Sequence, residues 1–545
     1  MPPAIEYVKD IIKYHGEWCN KHMSDFEVLD RDLLARVGRF KTKSGTVETP
    51  AFLPVINPAR LSIAPREMWE NYGCRILMTN AYLVKKHFGE NAREIGVHRL
   101  LDFPGVIMTD SGAYQILEYG EVGATNEEII RYQEDIDSDI AVILDLPTGW
   151  DVTPDYARYT VEETLRRARD LWSIKSRDDI KWVGPIQGGE YIDLVALSAK
   201  EVGSLPFDIH ALGSPTPFME QYLFHRLVDI ILTAKMNVPV ERPFHLFGAG
   251  HPFMFSLAVM LGCDLFDSAA YSIFARDDRY LTEYGTIRLE NLKYLPCSCP
   301  VCMKRSSREF LEMPKAQREL ELSRHNLYIC FAEIRRIKQA IIEGKLWEYV
   351  EMRAHSHPAL LQALKKIEKY SGYIERATPV VKRRGLLFFS SELDFIRPET
   401  IRYRKRLMER YMPPKEAKTL LLIPDSETKD NRRRKYLKKI ISLVCKKYIL
   451  DPKTIHICFY SPPFGIIPIE LSEIYPLYQY EYAYPPNSGT IEQTAERILE
   501  YVSKAYYERV VILTREDSWS GKLAELYTKL SLERNIHINI SVLNI

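Results

Sequence analysis

The stretch Arg242–Tyr280, RPFHLFGAGHPFMFSLAVMLGCDLFDSAAYSIFARDDRY, reads as strand, glycine turn, helix and second strand. Phe244–Phe247 is a short apolar run broken by Gly248-Ala-Gly-His. Pro252–Leu261 is almost wholly apolar and long enough for about three helical turns. Cys263–Phe266 is a second apolar run that ends on Asp267. A carboxylate at the end of a buried strand costs solvation energy unless it has partners or work to do. Asp267 is therefore the first candidate for a catalytic group.

The same unit recurs upstream. Apolar runs occur at Phe52–Ile56, Arg75–Thr79, Gly105–Thr109, Ile140–Leu144, Trp182–Ile186 and Phe207–Leu212, and with the two above they make eight. Amphipathic stretches such as Asn126–Ile136, Ala157–Ile174 and Met219–Lys235 separate most of them. Eight strands joined by helical crossovers predict an α/β chain built as a (β/α)8 TIM barrel. Asp110, Asp145, Gln187, Gly213, Gly248 and Asp267 each follow one of these runs, and in this fold the C-terminal strand ends carry the active site. A helix-capping Asp is the plain alternative at any one position.

Composition narrows the class. The chain has 545 residues, 46% hydrophobic and 27% charged, as in a soluble globular protein. Lys+Arg is 74 against Asp+Glu 73, so net charge points to no partner class. With no signal-peptide core and no run of roughly 20 apolar residues, the expectation is a cytoplasmic chain without a membrane span. Residues 1–25 form a charged N-terminal extension, expected to be helical, and Phe26–Leu53 alternates about a Lys43–Gly45 turn as a hairpin lid would.

Cys297, Cys299, Cys302 and His325 stand in the spacing C-x-C-x2-C-x22-H. Three cysteines in six residues point to metal rather than disulfide. Four such ligands complete a tetrahedron with no open position, so the expectation is a structural zinc in a subdomain over 290–330.

The motifs MTDSGAYQ (Met108–Gln115), LDLPT (Leu144–Thr148), IQGG (Ile186–Gly189), HALGS (His210–Ser214), HLFGAGHP (His245–Pro252) and DLFDSAAY (Asp264–Tyr271), followed by the cysteine cluster, occur in one order over roughly 26–370. In them the chain resembles the archaeal tRNA-guanine transglycosylases of the queuine/archaeosine tRNA-ribosyltransferase family. The resemblance implies a pentosyltransferase acting on tRNA. It would exchange guanine 15 of the D-arm for 7-cyano-7-deazaguanine, in archaeosine biosynthesis. It assigns Asp267 as the nucleophile of a covalent ribosyl intermediate and Asp110 as the general acid/base. Retention at one anomeric carbon by two displacements needs such a pair. Tyr114 is implied to stack on the base, Asp145 to accept from its guanidine-like edge, Gln187 and Gly213 to meet its carbonyl edge, and Ser111 to line the pocket. Where the family often has two glycines, this chain has Gly213-Ser214. Arg276 and Arg279 match a basic segment suited to D-arm phosphates, with a plain surface role as the alternative. A homodimer is also implied.

From 371 the character changes. A basic region over 371–415 precedes an α/β domain over 416–545, with strands expected at Thr419–Ile423, Ile455–Tyr460, Val510–Thr514 and Ile538–Leu543. Lys382-Arg-Arg384, Arg402–Arg406 and Arg432–Lys435, interleaved with Tyr403, Tyr411 and Tyr436, suit a tRNA backbone; a solvated charged face is the alternative. Ser461–Pro476 resembles part of the archaeosine synthases. Their Pro-Cys-Ser and Lys-Pro-Tyr-Ser signature is missing, since the position reads Pro424-Asp-Ser426-Glu-Thr-Lys429. A synthase-like paralogue and a non-catalytic tRNA-binding subunit are the alternative functions, and the intact Asp110 and Asp267 argue against both. With no recognisable PUA domain, either the α/β domain and basic region hold the tRNA or a separate PUA-domain protein does.

Overall fold

The computed structural model describes residues 25–113, 124–382, 385–425, 434–515, 519–536 and 538–545. Residues 1–24 of the N-terminal extension and Tyr114 fall outside them. The described residues form two compact units, one from 25–342 with 349–367 and one from 343–348 with 368–545.

In the first unit β1 (Phe26–Asp32), β2 (Ala35–Thr42) and β3 (Gly45–Thr49) make an antiparallel sheet. Eight strands follow: β4 (Ala51–Pro54), β5 (Ile76–Asn80), β6 (Val106–Asp110), β7 (Ile140–Val142), β8 (Lys181–Ile186), β9 (Ile209–Leu212), β10 (Phe244–Leu246) and β11 (Leu265–Ser268). Their order is β4-β11-β10-β9-β8-β7-β6-β5, all parallel. Val55 bridges Met78, and the Ile56 N–H donates to the Met78 carbonyl (2.9 Å), which brings the ends of the sheet together. This is the TIM-type barrel that the eight apolar runs predict.

The strands read as apolar runs because helices cover one face and the barrel core the other. Leu53, Ile76, Met78, Val106, Met108, Ile140, Val142, Val183, Ile209, Ala211 and Leu265 belong to one interior cluster, which Phe26, Phe40 and Val47 of the small sheet join. The crossover helices start where capping predicts. Thr125 and Glu128 form a capping box at Asn126–Asp135, and Thr153 caps Pro154–Ile174 with proline in the first turn.

Two expectations change. The Lys43–Gly45 hairpin forms as β2 and β3 but is not a lid on the strand C-termini. Lys43 pairs with Asp137 (2.7 Å) and Asp179, which precede β7 and β8, and the Arg36 Nε donates to Asp264 (3.0 Å), which precedes β11. The small sheet therefore plugs the N-terminal mouth. β7 also stops at Val142, short of Leu144. The Leu144 and Leu146 N–H groups donate instead to the Asn126 Oδ1 (3.2 Å) and Thr164 Oγ1 (3.0 Å), and this frees Asp145 from the ladder.

After β11 come a helix Ala270–Arg276 and a hairpin of β12 (Arg279–Thr282) and β13 (Gly285–Arg288), then the long helix Lys315–Glu343. In the second unit β14 (Leu387–Phe389) pairs with β18 (Tyr480–Tyr482). A five-stranded sheet has the order β17 (Gly465–Pro468), β16 (Ile455–Ser461), β15 (Thr419–Pro424), β19 (Arg509–Thr514), β20 (Asn539–Asn544), parallel except for β16–β17. Part of the basic region is spent internally. The buried Arg402 guanidinium serves Glu375 and the Thr378 and Pro379 carbonyls, Lys382 pairs with Glu399, and the Tyr403 hydroxyl donates to the Ile466 carbonyl. Arg383, Arg384, Arg432 and Arg433 lie outside the described residues. Among the described residues no helix is long and apolar enough to cross a membrane.

The plug rests on one buried ion pair. Arg36 and Asp264 are 6% and 1% exposed, and the Arg36 guanidinium also donates to the Arg242 carbonyl (2.8 Å). Arg36→Ala takes from the buried Asp264 its hydrogen-bonded cation and leaves Lys235 as the remaining charge nearby. It is expected to destabilise the barrel by about 3–5 kcal/mol, read as a lower urea midpoint at unchanged slope.

Candidate active site

The C-terminal ends of the strands open on a cavity of about 1130 Å3. Asp110, Asp145, Gln187, Gly213, Gly248 and Asp267 all line it, so the strand-end residues picked out in the sequence meet in one place.

Asp267 lies within β11, paired in register with Leu53 of β4. Its Oδ1 takes two hydrogen bonds, one from the Gly248 N–H (3.0 Å) and one from the His245 Nε2 (2.8 Å). A carboxylate oxygen only accepts, so Nε2 is the donor. His245 is wholly buried in β10 and is oriented by Phe247, whose ring centroid lies 4.6 Å away. Gly248 has φ 69°, and a Cβ there would meet the Thr216 Oγ1 at 2.5 Å. Only glycine can turn the backbone and aim its N–H at the carboxylate.

Asp110 ends β6 opposite Asn80 of β5. Its Oδ2 accepts from the Asn80 Nδ2 (3.0 Å) and the Gly112 N–H (3.2 Å). Enclosure by protein, followed by the nearby charges of Asp145 and Asp267, pushes its carboxyl up to about 7. Asp145 is also raised by burial, to about 6, against a hydrogen bond from Gln187.

Gln187 is the hub of a hydrogen-bond network in the cavity wall. Its Nε2 donates to the Asp145 Oδ2 (2.6 Å), and its Oε1 accepts from the Thr148 N–H (3.1 Å), the Thr148 hydroxyl (3.2 Å) and the Ser214 hydroxyl (3.1 Å). A Cβ at Gly213 would stand 2.3 Å from that Nε2, so Gly213 leaves room for Gln187. Ser214 holds φ 57°, the left-handed conformation a second glycine would supply freely, and ties the loop to Gln187 with its hydroxyl.

The other expected residues divide. Ser111 is fully buried, its hydroxyl finds no hydrogen bond among the described residues, and it is not part of the cavity wall. Arg276 and Arg279 line the rim, with Arg276 3.7 Å from Glu319 and Arg279 over the Phe274 ring at 5.3 Å. His245 and Asn80 were not singled out in the sequence. A histidine inside an otherwise apolar strand, and a polar residue ending the Arg75–Thr79 run, were the available signals.

The donor atoms of Cys297, Cys299, Cys302 and His325 lie within 4.8 Å of one another, a set able to hold a metal ion. The His325 Nε2 donates to the Leu281 carbonyl (2.9 Å), which turns Nδ1 toward Cys299 (3.5 Å) and Cys302 (3.3 Å). The Tyr280 ring stacks on His325 at 3.7 Å, and next in sequence Asn326 accepts from the Leu281 N–H (2.8 Å) and donates to the Tyr271 (3.0 Å) and Arg279 (3.1 Å) carbonyls. One helix thus fixes both the cluster and the segment that follows Asp267.

The chain is similar to known proteins along most of its length. Residues 31–359 match the family model described as queuine tRNA-ribosyltransferase, and residues 400–539 match a domain of unknown function, DUF5591. A relative from Saccharolobus solfataricus named tRNA-guanine(15) transglycosylase is 41% identical over 91% of this chain and 97% of its own length. One of the same name from Sulfolobus acidocaldarius is 39% identical over 90% and 95%, and one from Methanocaldococcus jannaschii is 41% identical over 84% of this chain and 68% of that protein. The chain belongs to the queuine tRNA-ribosyltransferase family and is a pentosyltransferase.

Proposed function

We propose that the protein is a tRNA-guanine transglycosylase that exchanges guanine 15 for 7-cyano-7-deazaguanine through a ribosyl ester on Asp267. The observation that carries the reading is that Asp110 and Asp267 face one cavity in different settings. Two carboxyl groups of one residue type take different roles only when their environments differ. The names of the relatives support guanine and position 15; the family resemblance supplies the incoming base.

An Asp267 oxygen attacks the anomeric carbon as the bond to the guanine nitrogen breaks, and Asp110 gives its proton to the departing base. The incoming base then returns a proton to Asp110 as its nitrogen attacks the same carbon and Asp267 leaves. His245 and Gly248 fix Asp267 through one oxygen, Oδ1. Asp145, Gln187 and the Gly213 backbone read the base edges, with Tyr114 as the stacking aromatic. Arg276 and Arg279 take phosphates, and Ser111 supports the Asp110 turn from behind the wall. The cysteine–histidine cluster holds a structural zinc and has no step in the exchange. In this reading 26–370 is the catalytic unit and 416–545 an accessory one, in a cytoplasmic homodimer; the acceptor end of the tRNA is held by the accessory unit or a separate PUA-domain protein.

Exchange of labelled guanine into unmodified tRNA tests the assignment. Asp267→Ala is expected to cut incorporation by on the order of 10^4-fold or more, and undiminished incorporation would remove Asp267 from its role. Asp110 must be protonated to release guanine, so the rate of adduct formation in a single turnover should be full below pH 7 and fall about tenfold per unit above it. A flat profile from pH 5.5 to 8.5 on a denaturing gel contradicts the acid role. Metal analysis should find zinc on the wild-type chain and none on Cys302→Ala, whose melting temperature drops because binding energy at such a site is folding energy.

A further inference from the structure

The cavity is larger than one exchanged base requires. Its volume of about 1130 Å3 exceeds the roughly 300–1,000 Å3 of common ligand sites, and the carboxylates occupy only the floor. Its wall includes four aromatic side chains, Trp150, Tyr222, Phe253 and Phe274.

Tyr222 stands apart from the others. It is 47% exposed, although it follows directly on the helix and turn that close the Ser214 loop. Its φ is 57°, a left-handed conformation uncommon for a bulky residue. Its ring lies on the His357 imidazole, with centroids 4.9 Å apart and planes within 22°. His357 is itself fixed, because its Nδ1 accepts the Ala359 N–H (3.1 Å) as the cap of helix Pro358–Lys366. Phe224 and Phe253 meet Tyr222 at 79° and 56°, so no other ring among the described residues lies parallel to it. The rim of the same cavity carries Arg60, Arg276 and Arg279, against Glu319, which the first two share at 3.8 and 3.7 Å, and Glu220. A flat ring backed on one side, beside a net positive rim, is the composition of a single-strand nucleic-acid platform.

The chemistry supplies the occupant. A base swung into the floor of the cavity leaves its neighbours in the strand without a stacking partner. We propose that Tyr222, backed by His357, stacks on the nucleobase next to the one exchanged. This rests on the transglycosylase reading above.

The test uses the full chain and an unmodified tRNA transcript, alone and with an abasic nucleotide at either neighbour of the exchanged position. Tyr222→Asn removes the ring with a residue that tolerates the left-handed backbone, and Tyr222→Phe keeps the ring. With wild-type exchange established, Tyr222→Asn should raise KM for tRNA about tenfold, the scale of one base–aromatic stack, and leave KM for free guanine unchanged. Tyr222→Phe should restore the wild-type value. One abasic transcript should raise the wild-type KM by a similar factor and abolish the difference between wild type and Tyr222→Asn. An unchanged KM in a folded Tyr222→Asn, or a difference that persists on both abasic transcripts, overturns the platform. Should Tyr222→Asn fail to melt cooperatively, 2-aminopurine at the neighbouring positions decides on the wild type and Tyr222→Phe. Quenching on binding to both supports stacking, and no quenching at either position refutes it. A wild-type chain that exchanges no guanine refutes the functional reading instead.

Discussion

Three carboxylates share the floor of one enclosed space, and the architecture around them answers their mutual repulsion and lost hydration. Each is accommodated differently. Asp267 receives the His245 Nε2 and the Gly248 N–H, Asp145 leans on the Gln187 amide, and Asp110 holds its proton up to about neutrality. These solutions set further requirements. Gln187 can reach Asp145 only because position 213 has no side chain, and its own oxygen is held by Thr148 and Ser214. Electrostatic cost thus propagates outward into backbone geometry.

The barrel was legible because parallel strands covered on both faces are written as unbroken apolar runs, and amphipathic stretches separate most of the eight. Asp110 and Asp267 were legible because charge at the end of such a run is anomalous, and the cysteine cluster was legible because three cysteines crowd into six residues. The partners were not. Nothing local says that His245 will face Asp267 from the neighbouring strand, or that Asn80 will face Asp110, since those contacts depend on strand register. Nor could composition separate an arginine that meets solvent from one like Arg402, whose donors are consumed by a carboxylate and carbonyls of its own unit. The direction in which the Phe26–Thr49 sheet faces was equally hidden, because a plug and a lid show the same alternation.

The cysteine–histidine cluster and the cavity are mechanically one assembly. Asn326, beside His325 on the long helix, binds the backbone of Leu281, Arg279 and Tyr271 at once. Tyr280, between two of those positions, covers the His325 ring and points its hydroxyl at Cys302 (3.3 Å). The chain leaving Asp267 is therefore pinned at Tyr271, Arg279 and Leu281 to the same helix that carries His325. The helix that carries His325 thus also helps determine where the rim arginines stand.

The two mouths of the barrel are occupied by unrelated kinds of contact, packing and ion pairs at one end and open polar chemistry at the other. Sequence drift should consequently be sorted by depth along the strands. Replacements near Asp264 and Lys43 would register in a cell as less protein, whereas, on the transglycosylase reading proposed above, replacements near Asp110 and Gln187 would register as normal amounts of a slower one. A survey of natural variants scored for both abundance and turnover would then separate into two groups along the barrel axis.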